Sequence, residues 1–372
     1  MSIQRQGDFW YRNVCDVSAA AKDFIKKSVG DSEGLLDGLA EYAELLRNIY
    51  KNYTAFEVSK VESQMTKIGI LADDLENYHH LTNTGACLFG LAKSGELRRE
   101  GAVTYLRINK ALFRTYFKKP PAFYFDLLQQ YGFYYMFYKN EKQVKTVGSS
   151  DTIDLYYEGP GYGSVLYAMK YLSDYVAEKD RKDIILPSLT AFLFADCDSL
   201  LLDINTNSKP LYTLPQTVLN CAGNKRDLLS ELVSRYCGES KLNIHLVINT
   251  YVFPNWTIKF KLNKKTISTF YAEADNLCIH LPVSYEVGKL VIDKKDELSP
   301  NIRDCLNHFG CAGCGKCQGQ RNMDNYKGYH LCSLPFSNFT TEYARLIRTN
   351  VSSEDLNSIC FIMDALLAEK NE

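Results

Sequence analysis

The run Asn255-Trp-Thr-Ile-Lys-Phe-Lys-Leu-Asn-Lys-Lys-Thr266 decides the fold class of this chain. From Thr257 to Leu262 it alternates strictly, with Ile258, Phe260 and Leu262 on one side and Thr257, Lys259 and Lys261 on the other. A period of two marks a strand with one buried face. Asn263-Lys264-Lys265 supplies a turn, Thr266 to Tyr271 returns, and Asn276 to Val283 adds another strand. The pattern predicts a hairpin or meander in which Ile258, Phe260 and Leu262 face a core against Ile279 and Leu281, while Lys259 and Lys261 face solvent. Helical spacing flanks it at Leu242 to Tyr251, Ser299 to His308 and Ser353 to Glu369. The expected class is α+β.

Upstream the pattern changes. Leu35, Leu39, Tyr42, Leu46 and Ile49 recur at three and four residues behind the cap residues Asp31 and Ser32, predicting a helix from about Ser32 to Lys51. Further helices are expected over Val14 to Lys27, Phe56 to Leu81 and Thr104 to Phe117, with Gly85, Gly90 and Gly95 loosening the region between. Pro120-Pro121 cannot continue a helix and reads as a boundary. Beyond it the pattern is mixed: a helix over Phe123 to Tyr131, strands over Phe133 to Tyr138 and Thr152 to Tyr157, and a helix from Ser164 to Val176. The apolar stretch Ile184 to Leu202 fits a buried helix or two strands equally well. Three regions follow: 1–119 mainly helical, 120–236 mixed α/β, and 237–372 an α+β module with a cysteine-rich loop.

With 372 residues, 46% hydrophobic and 23% charged, the chain is long enough for two or three cores and apolar enough to fold. The formal net charge of −1 lacks the footprint of a nucleic-acid binder. No apolar stretch approaches the roughly 18 residues that span a bilayer. The opening Met1-Ser-Ile-Gln-Arg-Gln-Gly-Asp8 has no apolar signal-peptide run, so a cytoplasmic location is expected. There, cysteines serve as free thiols, metal ligands or redox groups more readily than as structural disulfides.

Five of the twelve cysteines fall between Cys305 and Cys332, three of them in Gly310-Cys-Ala-Gly-Cys-Gly-Lys-Cys317. Cysteines two residues apart on small, flexible residues can aim several thiolates at one point. Cys311, Cys314 and Cys317 supply three ligands; Cys332 supplies a fourth, with Cys305 in reserve. Zinc is the expected metal, since it takes four thiolates at about 2.3 Å and would staple a segment poor in large apolar residues. The alternatives are an iron–sulfur cluster and metal-free thiols or a disulfide. The spelling begins like the ferredoxin motif C-x2-C-x2-C-x3-C-P, but Arg321 stands where the fourth cysteine belongs. His308 and His330 flank the run and could substitute as ligands.

Other motifs are weaker. Glu76 and His79 have the spacing of half a di-iron site, without the second half. Gly159-Pro-Gly-Tyr-Gly163, between a strand and a helix, could hold a phosphate but reads first as a tight turn capped by Ser164. Cys197 lies between Asp196 and Asp198, whose charges suppress a thiolate. Lys259, Lys261, Lys264 and Lys265 form a basic patch that either meets an anionic partner or keeps an exposed strand soluble. Aromatics reach 13%, with 26 Tyr and 19 Phe against 2 Trp, and are densest from Phe123 to Tyr138. Alternation there puts Phe133, Tyr135 and Phe137 on one strand face and Tyr134 and Tyr138 on the other, one set for a core and the other for a ligand groove, expected between modules.

The segment from Asn255 to Thr266, the strand Cys278-Ile-His-Leu281 and the helix opening at Leu298-Ser-Pro300 together resemble the YdhG/YjbR-like bacterial domains of unknown function. The resemblance covers about the last third of the chain. It implies an α+β fold around an antiparallel sheet and carries over no catalytic residue. The cysteine-rich tail ending in Pro335-Phe-Ser-Asn-Phe339 also resembles uncharacterised proteins of anaerobic Gram-positive bacteria. The sequence therefore predicts a cytoplasmic protein that binds a small molecule or a protein, holds a structural metal and has no evident catalytic set. The alternative is a redox protein using the C-terminal cysteines.

Overall fold

The computed structural model of the chain describes residues 3–29, 33–52, 80–116, 122–175, 190–201, 213–237, 242–249, 255–273, 276–306, 323–332 and 351–371. The fold is α+β, with helices around two larger antiparallel sheets. Two compact units emerge: Met1–Lys209 with Pro215–Asn220 and Ile248–Pro254, and Pro210–Leu214 with Cys221–Val247 and Asn255–Glu372. This division differs from the three-part expectation. The five-stranded sheet takes strands from both sides of residues 120 and 121, so these prolines fall inside the first unit.

In the first unit, helices Ile3–Asn13, Ala19–Val29, Glu33–Lys51 and His80–Ser94 precede the sheet. The stripe read from Leu35, Leu39, Tyr42, Leu46 and Ile49 is fully buried, as its spacing requires. Val14 to Ser18 is not helical: the Ser18 hydroxyl accepts from the Ala21 N–H at 3.1 Å and so caps a helix that starts later than expected. Gly85 and Gly90 do not interrupt His80–Ser94. They let it pack closely, since a Cβ on Gly90 would meet the Phe113 ring at 2.9 Å.

The sheet consists of β1 (Gly95–Glu100), β2 (Val103–Asn109), β3 (Phe133–Lys139), β4 (Lys142–Val144) and β5 (Thr152–Tyr157), in the order β1-β2-β5-β3-β4. The pairings of β1 with β2, β2 with β5, β5 with β3 and β3 with β4 are all antiparallel. The helix expected over Thr104 to Phe117 is thus corrected to strand β2 followed by the short helix Lys110–Tyr116. Alternation explains why: Leu106 and Ile108 are buried on the helix-covered side, opposite Leu155 and Ile153 of β5, while Arg107 is exposed. The inner face continues through Phe133, Tyr135 and Tyr157, under helices His80–Ser94 and Tyr162–Tyr175. Helix Ala122–Gln129 adds Phe125, whose ring lies 4.9 Å from Tyr135 and 6.1 Å from Phe137. In the run Ile184 to Leu202, the described part forms two short helical turns, Thr190–Leu193 and Asp198–Leu201.

The four-stranded sheet consists of β6 (Asn243–Asn249), β7 (Asn255–Leu262), β8 (Lys265–Glu273) and β9 (Asn276–His280), in that spatial order; all but Ile248 and Asn249 fall in the second unit. The helix expected over Leu242 to Tyr251 is corrected to β6. Ile244, Leu246 and Ile248 are buried, whereas His245 and Val247 are exposed, a period of two. On β7 and β8, Trp256 faces Ala272, Ile258 faces Phe270 and Phe260 faces Ser268, all fully buried; Ile279 faces Phe270 from β9. The register therefore matches the reading of Ile258 and Phe260. Leu262 is only half-buried, because the pairing shifts after Phe260 at a β-bulge beside Ile267. Lys259 and Lys261 are half-buried rather than free in solvent. Asn263 takes the left-handed φ of +55° that the two-residue loop needs. Helices Arg226–Tyr236, Tyr285–Asp293, Pro300–Leu306 and Leu356–Asn371, and the hairpin β10 (Met323–Tyr326) with β11 (Tyr329–Cys332), complete the unit. No helix among the described residues is long and apolar enough to cross a membrane.

Candidate functional site

Antiparallel pairing in the first sheet sets tyrosines side by side on the face opposite the helices. Tyr134 of β3 pairs with Tyr156 of β5, with ring centroids 5.9 Å apart. Tyr156 stacks on Tyr105 of β2 at 5.2 Å, with 27° between the ring planes. The next row is polar. Asp154 sits between Met136 and Arg107 and accepts a bidentate pair from the Arg107 guanidinium, at 2.9 and 2.7 Å. That guanidinium also lies 5.5 Å over the Tyr105 ring. On β1, Arg98 pairs with Glu96 at 2.6 Å, and the Tyr105 hydroxyl donates to Glu100 at 2.6 Å.

Arg107 with Asp154 and Arg98 with Glu96 thus form ion pairs within this face, and Glu100 accepts from the Tyr105 hydroxyl. Tyr134 is 41% exposed, Tyr138, Met136 and Tyr156 are half-buried, and Tyr105 and Asp154 are buried. Burial, helped by the negative Asp154, pushes the Tyr156 hydroxyl up to about 12. The hydrogen bond to Glu100 raises the Tyr105 hydroxyl as well. Both phenols stay protonated at neutral pH, and the bonds that Arg107 donates to Asp154 hold the guanidinium charged. The arrangement offers the partly exposed rings of Tyr134, Tyr138 and Tyr156 beside the ion pairs of Arg107 with Asp154 and Arg98 with Glu96.

Alternation in β3 had separated Phe133, Tyr135 and Phe137 from Tyr134 and Tyr138, and the structure keeps that division, with the second set accessible. The face belongs to one sheet of the first unit. Tyr105, Arg107, Asp154 and Tyr156 were missed. Helical spacing around Leu112 and Phe113 masked the strand periodicity of Thr104 to Ile108, and nothing local brings β2 beside β5.

The loop Gly159 to Gly163 forms a packed turn. Ser164 donates its hydroxyl to the Gly161 carbonyl, and a Cβ on Gly163 would collide with Thr104. Glu41 borders Gly161, a poor setting for an anion. A surface cleft of about 500 Å³ lies over Asp16, Lys22, Lys26, Asp37, Glu41 and Glu44. Arg47 already binds two of these carboxylates, Asp16 at 2.7 Å and Glu44 at 2.5 Å.

Cys197 is buried, and burial, with Asp196 and Asp198 adding to it, pushes its thiol far up. Its neighbour Asp196 is more unusual. Fully buried, this carboxylate accepts from the Thr217 N–H at 3.3 Å, the Thr217 hydroxyl at 3.0 Å and the Ser199 N–H at 3.3 Å. Burial lifts it to about 6 in spite of these bonds. Ala195, just before it, holds a left-handed φ of +51°.

Of the expected metal ligands, Cys305 lies on helix Pro300–Leu306 and Cys332 ends β11, paired with Met323. Cys311, Cys314 and Cys317 lie outside the described residues, as do His308, Glu76 and His79. His330 lies on β11 opposite Asn325. Among the described residues, no group of three or more His, Cys, Asp or Glu converges as a metal site. No family model, curated protein or solved structure matches the chain.

Proposed function

We propose that this chain is a binding protein rather than a catalyst: the tyrosine face of the five-stranded sheet takes a partner, and the C-terminal cysteines hold a structural metal. The carrying observation is the row Tyr134, Tyr156, Tyr105 beside a compensated Arg107–Asp154 pair. Small-molecule sites are concave, whereas Tyr134, Tyr138 and Tyr156 stand in a row on a sheet face. Tyr and Arg are enriched where proteins meet proteins, so a protein segment is favoured over a small ligand. The internal ion pairs of Arg107 with Asp154 and Arg98 with Glu96 favour a partner without strong net charge.

For the metal, the hairpin supports Cys332 as the fourth ligand. Met323 pairs with Cys332, so Cys332 stands across from a residue only six beyond Cys317. Six extended residues span at most about 20 Å, which leaves the three clustered cysteines within reach. Zinc at Cys311, Cys314, Cys317 and Cys332, with Cys305 in reserve, is the reading that needs no further cysteine.

Two experiments test the two parts. Peptides selected from a random library on the wild-type protein should lose at least tenfold in affinity on Tyr134→Ala, whose unfolding midpoint should be unchanged. Equal binding by both proteins refutes the face. Elemental analysis of protein purified without oxygen should give one zinc per chain, lost in Cys314→Ser. Iron and a brown colour would instead support the cluster alternative, and absence of any metal would sink both.

A further inference from the structure

Strand β1 is the outermost strand of its sheet, bonded to β2 alone among the described strands. Glu96 to Glu100 are all exposed, Leu97 at 38%. Glu100 pairs with Val103 across the two-residue loop Gly101-Ala102, and Gly101 has φ +61°. Such a loop closes on a hydrogen-bonded pair, and bonded pairs alternate along an antiparallel ladder. Glu100, Arg98 and Glu96 therefore direct their backbone groups at β2. Gly95, Leu97 and Arg99 direct theirs at the open edge.

Charges usually blunt such an edge, and β1 carries Glu96, Arg98, Arg99 and Glu100. Their order makes the difference. Two copies of β1 related by a two-fold axis perpendicular to the sheet run antiparallel and keep the same face on the same side. Centred on Arg98 or Arg99, that axis sets arginine on arginine; centred on Glu96, it sets glutamate on glutamate. Centred on Leu97, Glu96 meets Arg98 of the partner subunit on both sides of the axis, Leu97 meets Leu97 of the partner subunit, and Gly95 meets Arg99 of the partner subunit. This register also brings the outward backbone groups of residues 95, 97 and 99 face to face. Opposite charges across strands stabilise a pair and like charges oppose it, so the sequence of β1 admits one register and rejects its neighbours.

We propose that a second copy of this chain pairs with β1 in this register, joining two five-stranded sheets into one continuous sheet with Leu97 on its axis. The partner is the chain itself, and it adds at the strand edge of the sheet, where Glu96 and Arg98 border the tyrosine face.

Sedimentation equilibrium from about 1 to 200 µM tests it. The wild type should approach twice the 42.4 kDa monomer mass. Glu96→Arg and Arg98→Glu, each folded by circular dichroism, should each weaken self-association at least tenfold. Mixed together, the two variants should form a heterodimer, because each of their four facing positions then meets an opposite charge. This last arm is independent of the Glu96–Arg98 pair within one chain. A wild type monomeric throughout, single variants that dimerise like the wild type, or a mixture that stays monomeric would each overturn the proposal.

Discussion

Asp196 offers a quantitative test of the buried polar centre in the first unit. Its carboxyl lies at about 6 in the folded protein against an ordinary 3.8, with burial the main cause. At roughly 1.4 kcal/mol per pKa unit, that gap corresponds to about 3 kcal/mol. The sign follows from proton counting. Between the two values the folded state binds more protons than the unfolded state, so stability falls as pH rises from about 4 through about 6. Above that range the ionised carboxylate stays buried and the full cost persists. Asp196→Asn removes the titration. It also places an amide where Thr217 and Ser199 both donate, which costs a constant of about 1–3 kcal/mol. The stability difference between wild type and variant should therefore shift by about 3 kcal/mol between pH 4 and pH 7, in the variant's favour. Urea unfolding in a Trp256→Phe background suits the measurement, because Trp10 then remains as the single tryptophan and packs 5.2 Å from Phe194 of the same unit. Parallel pH curves for the two proteins would refute the raised carboxyl.

Further outcomes follow from the same geometry. The buried Lys110 ammonium donates to the carbonyls of Val147, Gly148 and Ser150, so Lys110→Met should cost about 1–3 kcal/mol and speed amide exchange most over residues 147–150. In the second unit, burial raises the Asp355 carboxyl, but bonds from Ser299, Ser352 and Asn301 outweigh it and leave it below its ordinary value. Asp355→Ala should cost about 1–3 kcal/mol at neutral pH, a deficit that shrinks on acidification below pH 4, read by urea unfolding at each pH. Phe260→Ala, in the core between β7 and β8, should cost about 3–5 kcal/mol, with Trp256 fluorescence as the probe. Gly163→Ala should lower the thermal midpoint, because its Cβ would meet Thr104.

What the sequence by itself determined is whatever local periodicity and turn chemistry can encode. Strict alternation made β7 readable, and the burial of Ile258 and Phe260 follows from it. The stripe from Leu35 to Ile49 likewise yielded its helix, and alternation in β3 separated Tyr134 from Tyr135. The metal-ligand reading of Cys311, Cys314 and Cys317 rests on spacing alone. The tertiary structure decided the rest. Thr104 to Ile108 and Leu242 to Ile248 carry apolar residues compatible with either period, and hydrogen-bonded neighbours selected the strand. The tyrosine face could not be read locally, since Tyr105 and Tyr156 lie some fifty residues apart and meet only through the pairing of β2 with β5. The same holds for Asp196, whose unusual carboxyl arises because residues 196, 199 and 217 close around it and exclude water. Burial and register are properties of the assembled chain: a side chain's neighbours across a sheet are set by which strands pair, and no single strand contains that information.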